Sequence, residues 1–261
     1  MLFSSDDYFV DLLVTLTIYN ELNSAFQRVA TEFLKYLNLK STVLELPVQI
    51  GEPVYGSKDA IFRDFMSPGV ILSIIFLVGI SLTALSLVSE RRQGQFERGI
   101  VSGVSPAFLI CGQILGHMWV CALQVLCVLL SVFGLFNIPF NGEGIWIFAI
   151  AFFQGICGLF FGSMISSFSK DEVTAFMFGL GFFYPSILTS GTVWPVEAMH
   201  PYLQTLGKYM PQTISIAALR NMISRGWGPD HAEVMDGFLS TALHCLVYFV
   251  FACITFKVYK P

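Results

Sequence analysis

Three polar side chains stand in an otherwise apolar stretch: Gln113, His117 and Gln124. Separations of four and seven residues put them on one face of a helix. Polar groups in such surroundings are costly and mark candidate sites. They suit either of two tasks: lining a substrate path, or hydrogen-bonding a neighbouring helix. One His with two Gln is a poor ligand set, so no metal site is expected. Thr189, Ser190 and Gly191 form a second small cluster, which either shapes an opening or loosens a helix end. The densest charge lies at 90–98, where Glu90, Arg91, Arg92, Glu97 and Arg98 surround Gly94. No phosphate-binding loop is visible, since Gly56-Ser57-Lys58 and Gly207-Lys208-Tyr209 do not fit G-x-x-x-x-G-K-S/T. No Ser/His/Asp or paired-carboxylate arrangement stands out, so no catalytic residue is expected. The six cysteines all lie in apolar runs without C-x-x-C or Cys/His spacing, as small buried hydrophobes do.

The charged nonapeptide dictates the elements around it. Its flanks, 68–89 and 99–142, contain no Asp, Glu, Lys or Arg. Thirteen Val, Ile, Leu or Phe residues lie between Val70 and Val88. At about −0.4 kcal/mol each, they favour insertion into a bilayer by roughly 5 kcal/mol. Burying the charges of 90–98 would cost about 3 kcal/mol apiece. The nonapeptide therefore sits in water between two membrane-crossing helices. Its three arginines in a short linker place it on the cytoplasmic face. Composition agrees: 55% of residues are apolar and 12% charged, where soluble chains carry about 25% charged residues. Mean hydropathy is +0.70. With a formal net charge of −4 and no basic domain, no nucleic-acid partner is expected.

An all-α polytopic membrane protein is predicted, with spans at about 70–88, 106–136, 145–168, 173–193 and 238–256. Ser105 and Pro106 suit an N-cap and a first helical position. Ser169 and Glu172 fit a capping box. Gly112/Gly116 and Gly158/Gly162 have the spacing that lets helix backbones approach closely. Residues 1–66 are polar and do not begin as a signal peptide. Within them Leu22, Phe26, Val29, Phe33 and Leu37 predict an amphipathic helix, packed on its own domain or lying on the membrane surface. Residues 42–50 read as a short strand. Segment 194–237 is punctuated by Pro195, Pro201, Pro211 and Pro229. Its amphipathic stretches, 199–210 and 212–224, are too short to span and read as re-entrant or interfacial helices. With 90–98 in the cytosol, 137–143 and 194–237 lie outside and the C-terminus inside. Parity then puts 1–66 outside as well, and predicts an earlier span upstream of Met1.

Several stretches occur together in one order. They are Glu52-Pro53-Val54-Tyr55-Gly56-Ser57, then Asp64-Phe65-Met66-Ser67-Pro68-Gly69-Val70, then Glu90-Arg91-Arg92-x-Gly94-x-x-Glu97-Arg98 and Gly103-Val104-Ser105-Pro106. Later come Ser190-Gly191-Thr192-Val193-Trp194-Pro195-Val196-Glu197 and Leu219-Arg220-Asn221-Met222-Ile223-Ser224-Arg225-Gly226-Trp227. The chain resembles the transmembrane domain of type-2 ABC exporters of the G and H subfamilies, the H subfamily most of all. The resemblance implies a six-helix domain, of which five spans are visible here, with 1–66 as the loop after the first span. It implies outer re-entrant helices within 194–226, before the last span. Glu90, Arg91, Arg92, Gly94, Glu97 and Arg98 would carry coupling contacts to a nucleotide-binding domain. ATP and Mg would bind that domain, which this sequence does not contain, so no cofactor and no ATPase activity are expected of this chain. Membrane lipid and a second half-transporter would be its other partners.

Two functions are compatible with these features. One is the permease part of a half-transporter, exporting lipid-like or hydrophobic substrates from the plasma membrane as a dimer. The other is a truncated, non-transporting membrane partner of full half-transporters, which the glycine pairs and the missing motor would suit. An ion channel is disfavoured, because no span carries an acidic ring residue or a basic row.

Overall fold

The computed structural model describes residues 62–138 and 141–258, together with helical positions at 18, 21, 22, 24–26, 28, 29 and 32. The chain divides into two units, Met1–Ala60 and Ile61–Pro261. In the first, the described positions fall at the start of the predicted amphipathic helix, with Leu22, Phe26 and Val29 exposed. The predicted strand at 42–50 lies outside the described residues.

The second unit is helical. In chain order its helices are α1 (Phe62–Arg92), α2 (Gln95–Val101), α3 (Pro106–Leu130), α4 (Gly144–Phe168), α5 (Glu172–Thr189), α6 (Pro201–Lys208), α7 (Thr213–Arg225) and α8 (Ala232–Val258). Among the described residues, five helices are long and apolar enough to cross a membrane: α1, α3 with its extension to Leu135, α4, α5 and α8. The short α6 and α7 fill the predicted re-entrant stretches.

Several boundaries differ from expectation, each for a local reason. The first span was predicted from residue 70, but α1 starts at Phe62 and carries Pro68 inside it. Proline removes the N–H that would reach the carbonyl four residues back. Here the Ser67 hydroxyl donates to that carbonyl, Asp64 O, at 3.0 Å. At its far end α1 takes in Glu90, Arg91 and Arg92, so only part of the nonapeptide forms the turn. The cap of α5 is Asp171, whose Oδ1 accepts from Thr174 N at 2.8 Å. The predicted cap, Ser169, instead donates back to Ile165 O at 2.8 Å. Helix α5 ends at Thr189, not near 193, and Gly191 follows in a left-handed conformation (φ 81°). The last helix starts at Ala232, six residues before the predicted 238, with Glu233 in a first turn that favours an acidic residue. Helix α3 ends in a wider turn at Ser131–Leu135, where Ser131 Oγ donates to Cys127 O at 2.8 Å.

Helices α1 and α4 form the centre, and glycine sets their separation. A Cβ at Gly158 would stand 2.5 Å from Phe76 O, and one at Gly162 would meet Ile80 O. Both obstacles are backbone, so neither can yield. The second predicted pair behaves differently: Gly112 and Gly116 make no close approach to another element among the described residues. Around this centre Phe161 gathers Phe76, Phe182 and Tyr248, with ring centroids 5.8, 4.4 and 4.9 Å away, joining α1, α5 and α8. The outer faces are apolar too. Phe108, Leu115, Trp119, Leu123 and Leu130 of α3 are all exposed, a surface suited to lipid.

Candidate functional site: the charged elbow

The elbow between α1 and α3 is built by one glycine and one phenylalanine. Helix α1 closes with Gly94 N donating to Arg91 O at 2.9 Å. Gly94 then takes φ 69°, a left-handed value that costs other residues strain. This turn launches α2. Phe96, the apolar residue of the nonapeptide, points inward, 6% exposed. Its ring lies 4.8 Å from that of Phe256 near the end of α8.

The adjacent arginines make separate connections. Arg91 Nη1 donates to Ser166 O at 2.6 Å and to Ser169 O at 3.4 Å. These carbonyls end α4, where carbonyls lack partners within the helix and positive charge is favoured. The Arg91 guanidinium also lies 5.8 Å from the centre of the Phe256 ring. Arg92 Nη1 meets Glu172 Oε2 at 2.5 Å, in the first turn of α5. The elbow is thereby fastened to α4, α5 and α8 together. Glu97 and Arg98 of α2 are exposed. Hydrogen bonds from Thr174, through its side chain and then its backbone N–H, hold the nearby Asp171 carboxyl below its ordinary pKa.

The polar candidates of α3 bond mainly to α1. Gln113 Nε2 donates to Ser86 Oγ, and Ser86 Oγ makes a long 3.5 Å contact to Glu90 Oε1. Gln124 Nε2 reaches Ile75 O at 3.5 Å. His117 Nδ1 stays within its own helix, 2.8 Å from Gln113 O. Thr189 and Ser190 are buried, 9% and 1% exposed. Thr189 Oγ1 donates to Pro185 O at 2.8 Å, and Ser190 Oγ lies 3.0 Å from Thr192 Oγ1. Around them the chain is tightly packed. A Cβ at Gly69 would stand 2.6 Å from Thr192 Cγ2, and one at Gly207 2.5 Å from Thr189 O. Arg220 of α7 donates to Gly191 O at 2.8 Å and stacks over Phe65, 4.2 Å from the ring centre. The Ser-Gly-Thr stretch thus seats α6 and α7 on α1.

Sequence reasoning passed over Phe96 and Phe256, and over the carbonyls of Ser166 and Ser169. Phe96 left a signal, as one large apolar side chain within a charged turn. The carbonyls left none, because every residue has one.

Residues 4–254 match the family model described as ABC-2 family transporter protein. The chain belongs to that family. ABC transporter G family member 20 of Dictyostelium discoideum is 28% identical over 246 residues, which is 94% of this chain and 34% of that protein. The probable multidrug ABC transporter permease YbhR of Escherichia coli (strain K12) is 27% identical over 196 residues, 70% of this chain and 52% of its own length. The linearmycin resistance permease protein LnrN of Bacillus subtilis (strain 168) is 26% identical over 186 residues, 70% of this chain and 46% of its own. The chain thus spans 34% and 31% of the two G family relatives it matches. With five apolar helices of spanning length, this ABC-2 chain is a multi-pass integral membrane protein and the membrane component of a transporter.

Proposed function

We propose that this chain is the permease unit of an ATP-driven exporter, acting on amphipathic or lipid-like molecules. It works as a dimer with a second half-transporter, identical or related. A nucleotide-binding domain, holding ATP and Mg, meets the elbow on the cytosolic side. Residues 1–66 and the α6–α7 segment then lie on the far side of the plasma membrane, with the C-terminus in the cytosol. The names of the bacterial relatives, a probable multidrug permease and a linearmycin resistance permease, support a hydrophobic cargo.

One observation carries the reading: the elbow has two faces. Glu97 and Arg98 are exposed on α2 and suit contacts to a soluble partner. Directly beneath them Phe96, Arg91 and Arg92 are fastened to α8, α4 and α5. A displacement of α2 is therefore passed to three spans at once. Gly94 gives the turn its shape, and Glu90 steadies it through Ser86 and Gln113. Gln113 and Gln124 act as contacts between helices, Thr189 and Ser190 bond within their own segment, and His117 is the group of that set left to face a path.

Charge reversal at the exposed pair tests this. In the assembly with its nucleotide-binding domains, Glu97→Lys and Arg98→Glu should lower ATP-dependent export by about 5–150-fold, the usual range for coupling between sites. Membrane insertion should be unchanged. Undiminished export would remove α2 from the coupling path. Export absent from the unaltered assembly would favour a non-transporting partner.

A further inference from the structure

A layer of neutral polar groups crosses the bundle beneath α7, and part of it is unpaired. Gln154 of α4 is fully buried, and neither Oε1 nor Nε2 has a hydrogen-bond partner among the described residues. Gln212, just before α7, is also fully buried. Its Oε1 accepts from Ser73 Oγ of α1 at 2.9 Å, while its Nε2 has no partner among the described residues. Ser215 Oγ and Thr241 Oγ1, buried between α7 and α8, lie 2.7 Å apart.

These groups share one depth. A Cβ at Gly237 of α8 would stand 3.3 Å from Ile150 Cδ1 of α4. One turn further along, on helices traversing the bundle in the same direction, lie Thr241 and Gln154. A Cβ at Gly155, beside Gln154, would stand 3.1 Å from Ile75 Cγ2. Ile75 is two residues from Ser73, the partner of Gln212.

A primary amide offers two donors and an acceptor oxygen. Leaving it unsatisfied among membrane spans is costly, and replacement by an apolar isostere would then relieve the fold. Buried amides are commonly satisfied by ordered water that bridges several polar groups. The groups named here are amides and hydroxyls, without a charged member, so they suit a neutral guest that both donates and accepts. We propose that Gln154 and Gln212 hold ordered water between α1, α4, α7 and α8. The site is independent of whether the chain exports anything.

The full chain in lipid nanodiscs provides the test. Brief X-ray radiolysis in water, read by mass spectrometry, oxidises side chains beside bound water. Ile150 and Ile216, one turn from Gln154 and Gln212, should be labelled despite being 0% and 1% exposed, and that labelling should fall in Gln154→Leu and in Gln212→Leu, because each removes one of the two groups that bridge to the water. Each substitution should lower Tm by about 2–4 °C. The double substitution should lower it by less than the sum, because the two amides share a guest. Absence of labelling in the unaltered protein would overturn the proposal, and so would a higher Tm for Gln154→Leu, the mark of a dry amide. Should that variant fail to insert, Gln154→Met and Gln212→Leu are read by the same signs.

Discussion

Arg91 and Arg92 are neighbours with unequal holds on the fold. Arg92 and Glu172 have side chains 60% and 33% exposed, and exposed pairs are worth about 0–1 kcal/mol. Arg91 is half-buried and donates to carbonyls ending α4, and hydrogen bonds to charged groups are worth about 1.5–3 kcal/mol. Arg91→Met is therefore expected to lower Tm clearly, and Arg92→Met little, in thermal unfolding of the purified chain. Equal effects would show that burial of Arg91 is not what matters. Asp171 adds a pH dependence. Its folded pKa is depressed, so its stabilising contribution is present above its unfolded pKa of about 3.9 and lost as pH falls through the lower folded value. Asn caps nearly as well as Asp but does not titrate. The Tm difference between wild type and Asp171→Asn should shrink as pH is lowered from about 5 toward 3. A constant difference would contradict the capping account.

At the scale of elements, two glycine pairs with one spacing serve different ends. Gly158 and Gly162 set the separation of α1 and α4 against backbone, whereas Gly112 and Gly116 meet no other element among the described residues. Gly158→Val must push the central helices apart, and overpacking of this kind costs about 1–3 kcal/mol or more. A loss of monodisperse protein on size exclusion would report it. Gly112→Ala should be neutral or stabilising by up to about 1 kcal/mol, the helix-propensity gain. Destabilisation by Gly112→Ala would mean that this face is covered in the assembled protein.

For the whole molecule, the proposed orientation rests on the elbow. After replacement of the six cysteines, Tyr202→Cys on exposed α6 should react with an impermeant maleimide on intact cells. Gln95→Cys on α2 should react only after permeabilisation. The opposite pattern would invert the protein and move the elbow away from any cytosolic motor. The orientation follows from arginine in a short linker, so replacing Arg91, Arg92 and Arg98 together should weaken it.

The number of spans among the described residues and their places along the chain were legible in the residues alone, because hydrophobic length and the cost of charge are properties of a linear stretch. The elbow was legible for the same reason, as were α6 and α7 from their prolines and amphipathic spacing. The ends of the spans were not, because local caps and turns set them. Nor was the pairing of faces. Helices such as α4 are apolar all round, so periodicity does not say which side meets a neighbour. Only the tertiary structure decided that Gly158 is packed and Gly112 open among the described residues, that Arg91 finds the end of α4, and that Gln154 and Gln212 are both fully buried. Each depends on how a helix is rotated about its own axis, and that rotation is set by contacts between elements distant in the chain.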